Sequence, residues 1–466
     1  MMSQVDLLIV GAGPAGMAAA IAARKLGLTV LVVDEQPEPG GQIWRGIERV
    51  GRTSRASILG AAYTEGLAVA ARFRACGAEF SAETSLWHIE DGPVAYLKAS
   101  GVAHRLEPRC VLLATGAQER PTPFEGWTLP GVMTVGAGQI LLKSAGQVPE
   151  DPVWIAGTGP LAYLYAVQLL DAGARIAGFL DTRPKGRIRR NLDTAIAALY
   201  GQPKDILKGL AWLAKIRRHC CYVPHIVALQ GHGQDRLERI TFQTQDQRSE
   251  TVEAQHLLVH EGIVPTVHPT MALDCRHDWN PEQGCYQPFL DSWGETSRPY
   301  IFGAGDLAGI AGAKAALLRG EIAAIGIALK LGKRSATQAE VDAAPLRRRL
   351  AKATSVRAFL DKVYRPREMA LLPTDQTLVC RCEEISAGRI RDLCRVGQAE
   401  PNRIKAFSRA GMGPCQGRMC NYPVASVLAD AMGSDASEIG LYRVRPPFKP
   451  LTLDELAQLQ MTEGMK

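Results

Sequence analysis

Short apolar runs that end on glycine recur along this chain. Residues 5–10 (Val-Asp-Leu-Leu-Ile-Val) stop at Gly11, and their length and flanks predict a buried parallel strand. An Ala-rich stretch from Met17 to Leu26 predicts a helix, and Thr29–Val33 a second strand ending on Asp34 and Glu35. The same order returns near residue 153. Val153–Ala156 reads as a strand, a helix runs to about Ala172, and strand Ile176–Leu180 ends on Asp181. Val111–Leu113 and Tyr300–Phe302 predict two more strands, each leading into a glycine turn. A small-residue helix is expected from about Ile310 to Ala328, then a charged helical connector over 338–375. From Gln376 the aliphatic runs give way to cysteine and glycine. After Arg443 the prolines at 446, 447 and 450 predict an extended tail, with a short helix from Leu453.

Two of these turns carry recognisable chemistry. Gly11-Ala12-Gly13-Pro14-Ala15-Gly16 sits between strand and helix, and Asp34 follows Gly11 by 23 positions. Gly11 permits the sharp turn, Gly13 lets a pyrophosphate approach the backbone, and Gly16 lets helix and sheet pack closely. The helix start at Pro14 and Ala15 then presents N–H groups to phosphate. Asp34 is placed to accept ribose hydroxyls; Glu35 takes that role if the strand register slips by one. The second copy is Gly157-Thr158-Gly159-Pro160-Leu161-Ala162, with Asp181 24 positions after Gly157. Asp181 favours a free 2′-hydroxyl, hence NAD or an adenosine phosphate such as ATP. Arg183 and the basic residues after it offer a grip on phosphate. A retained fold with no nicotinamide turnover is equally open. The fold class is therefore α/β, with two nested Rossmann-like dinucleotide-binding domains and a small, mainly helical C-terminal domain.

Composition narrows the picture. The chain has 466 residues, 46% hydrophobic and 22% charged, which excludes bulk disorder and predicts several domains. Aromatics are only 6%, so small aliphatic side chains must fill much of the core. Net charge is +7. Ten basic against two acidic side chains lie between Arg183 and Arg218, so the excess is local rather than a nucleic-acid footprint. That segment is a solvated face, a phosphate site or a surface for a partner. No apolar run reaches the ~18 residues of a membrane span, and the N-terminus enters a strand without a signal-peptide pattern. A cytoplasmic protein with no transmembrane segment is expected, any membrane association passing through an electron acceptor.

Seven of the eleven cysteines are scattered and read as reduced thiols. The other four form Cys380-x-Cys382, 32 intervening residues, then Cys415-x₄-Cys420. Two thiolate pairs suit a [2Fe–2S] cluster. Zinc is the rival, although C-x-C is unusual for it, and uncoordinated thiols are the bland alternative. Basic residues outnumber acidic ones eight to four over 376–423, which would offset a thiolate-ligated cluster. Cys394, between the pairs, reads as a core thiol. No Cys-x-x-Cys occurs in 1–330 and no Ser/His/Asp set is evident, so neither disulfide reduction nor acid–base catalysis is expected of this chain.

The first turn, Gly40-Gly41-Gln42 after its acid, the Ala114-Thr115-Gly116 strand end and Gly305-Asp306 together resemble the two-dinucleotide-domain flavoprotein disulfide reductases. That resemblance covers about 1–330. It implies FAD in the first fold, held by Gly11, Gly13, Pro14, Ala15, Gly16, Asp34 or Glu35, Gly41, Gln42, Arg45, Thr115, Gly116, Gly305 and Asp306. The helix start near Ile310 would face the flavin. Gly157, Gly159, Asp181 and Arg183 would hold the second nucleotide. The cysteine segment resembles the bacterioferritin-associated-ferredoxin-like [2Fe–2S] domain, although many members of that group have C-x₂-C where this chain has C-x₄-C. Gly40–Arg45, Trp127–Val132 and the cysteine pattern together resemble the α (A) subunits of multi-subunit amine dehydrogenases. This group includes D-hydroxyproline dehydrogenase, octopine and nopaline (opine) oxidases, and hydrogen cyanide synthase.

The resemblance implies an electron-transfer subunit that serves a flavoprotein β subunit of D-amino-acid-oxidase type, where the C–N bond is oxidised. In some members a small ferredoxin-like γ subunit occurs, and FMN lies at the boundary with β. The alternatives are a self-contained NAD(P)H-dependent FAD oxidoreductase and a subunit for cyanide-forming glycine oxidation. The domains expected are 1–125 with 260–330 (FAD), 126–259 (second nucleotide), 331–375 (connector), 376–430 (cluster) and 431–466 (tail).

Overall fold

The computed structural model describes residues 5–367, 370 and 372–461. Two five-stranded parallel sheets organise the first two-thirds of the chain. In the first, the strand order is Ile301–Gly303, Cys110–Leu113, Leu7–Val10, Val30–Val33, Glu79–Ser81. The three central strands are buried along their whole length, as a parallel sheet covered on both faces requires. The second sheet runs Cys221–Pro224, Ile176–Asp181, Val153–Gly157, His256–His260, Val132–Thr134. Strands Ala117–Glu119 and Ile263–Pro265 pair antiparallel and form the two-stranded crossing between the folds.

Sparse aromatics have a structural counterpart in close helix packing. Helix Pro14–Lys25, largely alanine, lies against helix Ala313–Lys330. A Cβ added at Gly320 would stand 2.1 Å from the Ala15 carbonyl oxygen, and one at Gly16 would stand 1.8 Å from that of Gly11. Helix and turn thus touch backbone to backbone. The second of these helices begins at Ala313, not near Ile310, and is preceded by a 3₁₀ turn over Gly305–Ala308. The Asp306 carboxylate explains the late start. It accepts the N–H groups of Ala311 (3.0 Å) and Gly312 (3.3 Å) and so holds residues 309–312 as a loop.

The connector forms helices Ala336–Thr354 and Arg357–Val363. Beyond it, a short strand pair (Leu378–Cys380, Ile385–Ser386) and helices Ala387–Arg395, Pro401–Ser408 and Asn421–Met432 enclose a separate apolar core. The tail returns to the first fold. Phe448 and Val444 are buried beside Leu8, Leu31 and Leu113. Helix Leu453–Ala457 follows, and strand Gln460–Met461 adds in parallel to Val102–Leu106. In the basic segment, helices Leu192–Gly201 and Pro203–His219 turn Leu192, Ile196, Tyr200, Leu207 and Leu210 to solvent.

Gly320→Ala tests the helix contact. Alanine is the better helix former by about 1 kcal/mol, yet the clash with Ala15 should cost about 2–3 kcal/mol net. Urea denaturation should show that loss; a variant as stable as the parent would contradict the packing.

Candidate functional site

The first Gly-rich turn is shaped by its neighbours. Gly11 has φ +106°, and a Cβ there would meet the Ala114 carbonyl oxygen at 2.4 Å. Gly13 faces Gly41, whose own φ is +59°, and the Gly40-Gly41-Gln42 turn lies over the loop because neither residue has a side chain there. Asp34 ends strand Val30–Val33 and points back at the turn. Its Oδ2 accepts the Ala12 N–H at 2.6 Å and its Oδ1 accepts that of Gln36 at 2.8 Å. Burial is the largest influence on this carboxyl and raises its pKa against those two bonds. Glu35 turns outward and pairs with Lys449 of the tail. Asp34, not Glu35, therefore faces the phosphate-type loop.

The other residues of the first site converge there. Arg45 donates to the side-chain oxygens of Gln36 and, at 2.8 Å, Gln42. Thr115 donates to the Thr266 carbonyl at 3.0 Å, and Gly116 (φ +68°) accepts the Thr266 N–H. Gly305 (φ +76°) lies against Ala15, which brings the Asp306 loop to the start of helix Pro14–Lys25. Ile310 is buried in that loop and donates its N–H to the Gln283 side chain at 3.3 Å. Gly157, Gly159, Asp181 and Arg183 gather in the same way at the second turn. There Asp181 is only 1% exposed and already accepts hydrogen bonds from protein groups.

The four clustered cysteines meet as two pairs that cross between the motifs. The Cys380 thiol stands against that of Cys420, and the Cys382 thiol against that of Cys415. Contact with Cys420 and the N–H groups of Gly411, Glu383 and Cys382 pull the Cys380 thiol down to about 6. Burial raises Cys415 despite N–H bonds from Met419 and Gly417, and contact with Cys380 raises Cys420. The loop depends on glycine. Gly411 (φ +86°) and Gly417 (φ +80°) pack on the Tyr442 ring, and a Cβ at Gly413 would overlap that of Cys382 at 2.4 Å. Cys394 lies on helix Ala387–Arg395, outside this group. Among the described residues, no three or more His, Cys, Asp or Glu side chains stand at metal-ligand spacing.

This loop docks on the crossing between the nucleotide folds. Gln118, two residues after Gly116, donates to the Arg418 carbonyl at 2.9 Å, and Trp127 Nε1 donates to that of Leu378 at 2.8 Å. His268 bonds the backbone at Gln416, and burial holds its imidazole down to about 4. The cysteines are thus tied to the segment that closes the first site.

Three groups had no sequence signal. Glu119 accepts from Gly136 N–H at 2.7 Å and pairs with His260 at 2.7 Å. Lys143 donates to the Gln42 carbonyl (3.0 Å) and to Gln139 (2.8 Å), which itself bonds Gln168. Tyr364 of the connector reaches the second turn.

Paired Gly-rich turns on two parallel sheets define a two-nucleotide-fold oxidoreductase. Residues 5–328 match the family described as pyridine nucleotide-disulphide oxidoreductase, and residues 374–459 match the sarcosine oxidase A3 domain. The chain is 42% identical to the A subunit of opine oxidase from Rhizobium meliloti (strain 1021), over 98% of its own length and 99% of that protein. It is 33% identical to the HcnB subunit of hydrogen cyanide synthase from Pseudomonas aeruginosa, covering 97% and 98%. Among solved structures, L-proline dehydrogenase from P. horikoshii aligns with a TM-score of 0.70 at 20% identity, covering 97% of this chain and 79% of that one. The chain belongs to the pyridine nucleotide-disulphide oxidoreductase family, in the branch that holds the opine oxidase A subunits.

Lys143 gives a pH test. Burial, with Arg45 adding repulsion, pushes its ammonium from 10.5 down to about 7. Between about pH 7 and 10 the unfolded chain holds a proton that the folded chain has released, so stability rises with pH across that window. Lys143→Met should flatten the rise, read as the shift of urea midpoint between pH 7 and 9.5. An unchanged shift would contradict the assignment.

Proposed function

We propose that this chain is the electron-transfer subunit of a heteromeric dehydrogenase that oxidises the C–N bond of an opine or amino acid. The observation that carries the reading is the docking of the four-cysteine loop, through Gln118 and Arg418, against the strand that leaves the Thr115–Gly116 turn of the first nucleotide site. Two cofactor-type sites, one for a nucleotide and one for soft metal chemistry, share one piece of backbone. The absence of an evident acid–base set for substrate in the sequence fits a division of labour in which a flavoprotein β subunit performs the oxidation. An FMN at the boundary and a small ferredoxin-like subunit belong to the same scheme. Relatives named as subunits support a heteromer, and the higher identity to opine oxidase than to cyanide synthase favours the opine class. No helix among the described residues is long and apolar enough to cross a membrane.

The residues fit the two groups. In the first site, Asp34 keeps acceptor positions beyond its two N–H bonds, so it can bind ribose hydroxyls. The bare backbones of Gly13 and Gly41 leave room for a pyrophosphate at the start of helix Pro14–Lys25. Gln42 and Arg45 line the approach, and Thr115, Gly116, Gly305 and Asp306 close the far end. In the loop, Cys380, Cys382, Cys415 and Cys420 supply four thiolates, and N–H groups already aimed at Cys380 and Cys415 would stabilise their negative charge. When bound, FAD supplies two-electron storage and a [2Fe–2S] cluster one-electron transfer. The exposed apolar side chains within the basic segment 183–218 mark our candidate face for the partner.

Cofactor content tests the reading. Gly13→Glu should lose FAD from the purified complex. Alanine at any of the four cysteines should abolish the cluster's visible absorption and reduced-state EPR signal, while Cys394→Ala keeps both. Zinc without iron in anaerobic protein, or full FAD in Gly13→Glu, would overturn it.

A further inference from the structure

The second nucleotide fold differs from the first in the two places that decide binding. The first is its acid. Asp181 accepts hydroxyl bonds from Tyr163 (3.1 Å) and Tyr222, and the Arg183 N–H at 2.9 Å. The Arg183 guanidinium stands 3.6 Å away. A carboxylate offers about four acceptor positions, and protein groups fill nearly all of them. Among the described residues, Asp34 in the first fold accepts two backbone N–H bonds. Displacing the tyrosines would leave the buried Tyr163 hydroxyl without its acceptor.

The second difference is the turn itself. The middle glycine of such a turn lacks a side chain so that a pyrophosphate can come up to the backbone. In the first fold the space over Gly13 is bordered by another glycine, Gly41. In the second, a Cβ on Gly159 would stand 3.8 Å from both Cβ and Cγ of Tyr364. The Tyr364 ring meets that of Tyr163 edge-on at 6.1 Å, and its hydroxyl lies beside Tyr163 and Arg183. Tyr364 follows helix Arg357–Val363 and is fastened to it by its N–H on the Leu360 carbonyl (2.9 Å). That helix is pinned from the other fold, where Gln283 donates to Asp361 at 3.0 Å. A cavity of about 510 Å³ opens at Thr182, His225 and Arg367, and Gly157, Gly159 and Pro160 are not among its lining residues.

We propose that the second fold is closed to pyridine dinucleotides, with Tyr364 of the connector occupying the approach to Gly159 and with Asp181 committed to Tyr163, Tyr222 and Arg183. The fold is kept for its architecture: it carries the helix of Lys143 and Gln139, which reaches Gln42 of the first fold. Electrons therefore do not enter or leave this chain as NAD(P)H. The inference stands on the second fold alone and does not depend on the opine reading.

Calorimetric titration of the FAD-saturated chain with ADP-ribose and with NADH tests this. Wild-type protein should show no saturable binding to 1 mM, and NADH should not bleach the flavin. Tyr364→Phe keeps the ring and should stay closed. Tyr364→Ala should open the turn and bind ADP-ribose at least tenfold tighter than wild type. Wild-type binding that Gly159→Glu abolishes would overturn the proposal whether or not Tyr364→Ala folds. A folded Tyr364→Ala variant with no gain would overturn the role of the ring.

Discussion

Backbone pressed against backbone is the constraint on which the site depends. Helix Ala313–Lys330 can reach helix Pro14–Lys25 only because Gly320 leaves room for the Ala15 carbonyl. That approach sets Gly305 against Ala15 and brings the Asp306 loop to the first Gly-rich turn. Gly16 against Gly11, and Gly11 against Ala114, tie the same turn to two strands. A side chain at any of these points would push the elements apart by more than a cofactor site tolerates. The Ala-rich, aromatic-poor composition is the sequence-level trace of this packing.

From that fixed point, the chain adds a second device. The cysteine loop has its own small core, yet its outer turn is bonded to Gln118 and His268, on the crossing beside the first site. The tail secures the arrangement from the other side: Arg418 donates to the Phe448 carbonyl, and Phe448 is buried in the core of the first fold. A structure that couples two sites through short, rigid contacts suits the passage of electrons better than the recognition of a substrate. The buried chain from Lys143 through Gln139 to Gln168 serves the same end. It holds the second fold against Gln42 and Leu59 of the first.

What the sequence disclosed was local. Strand, glycine turn, helix and acid lie within 30 residues, so the spacing of Gly11 and Asp34 predicts their meeting, and the structure brings them together. The cysteine motifs are equally local, but their crossed pairing (Cys380 with Cys420, Cys382 with Cys415) depends on how the Gly411–Gly417 loop folds back. The helix expected near Ile310 starts at Ala313 because a side chain, Asp306, binds the intervening N–H groups. Contacts such as Glu119 with His260 or Tyr364 with Gly159 join residues more than a hundred positions apart. No period or spacing announces them, and the state of the second fold depends on the latter.

On the proposed reading, this chain moves electrons and does not oxidise the amine. Anaerobic stopped-flow spectroscopy tests it most directly, with an opine such as octopine or nopaline mixed first with the isolated chain and then with the chain bound to the flavoprotein subunit proposed as its partner. The absorption of the flavin and of the proposed cluster should stay that of the oxidised forms in the first case and bleach within turnover time in the second. Reduction of the isolated chain by substrate, at the rate of the assembled complex, would contradict the account.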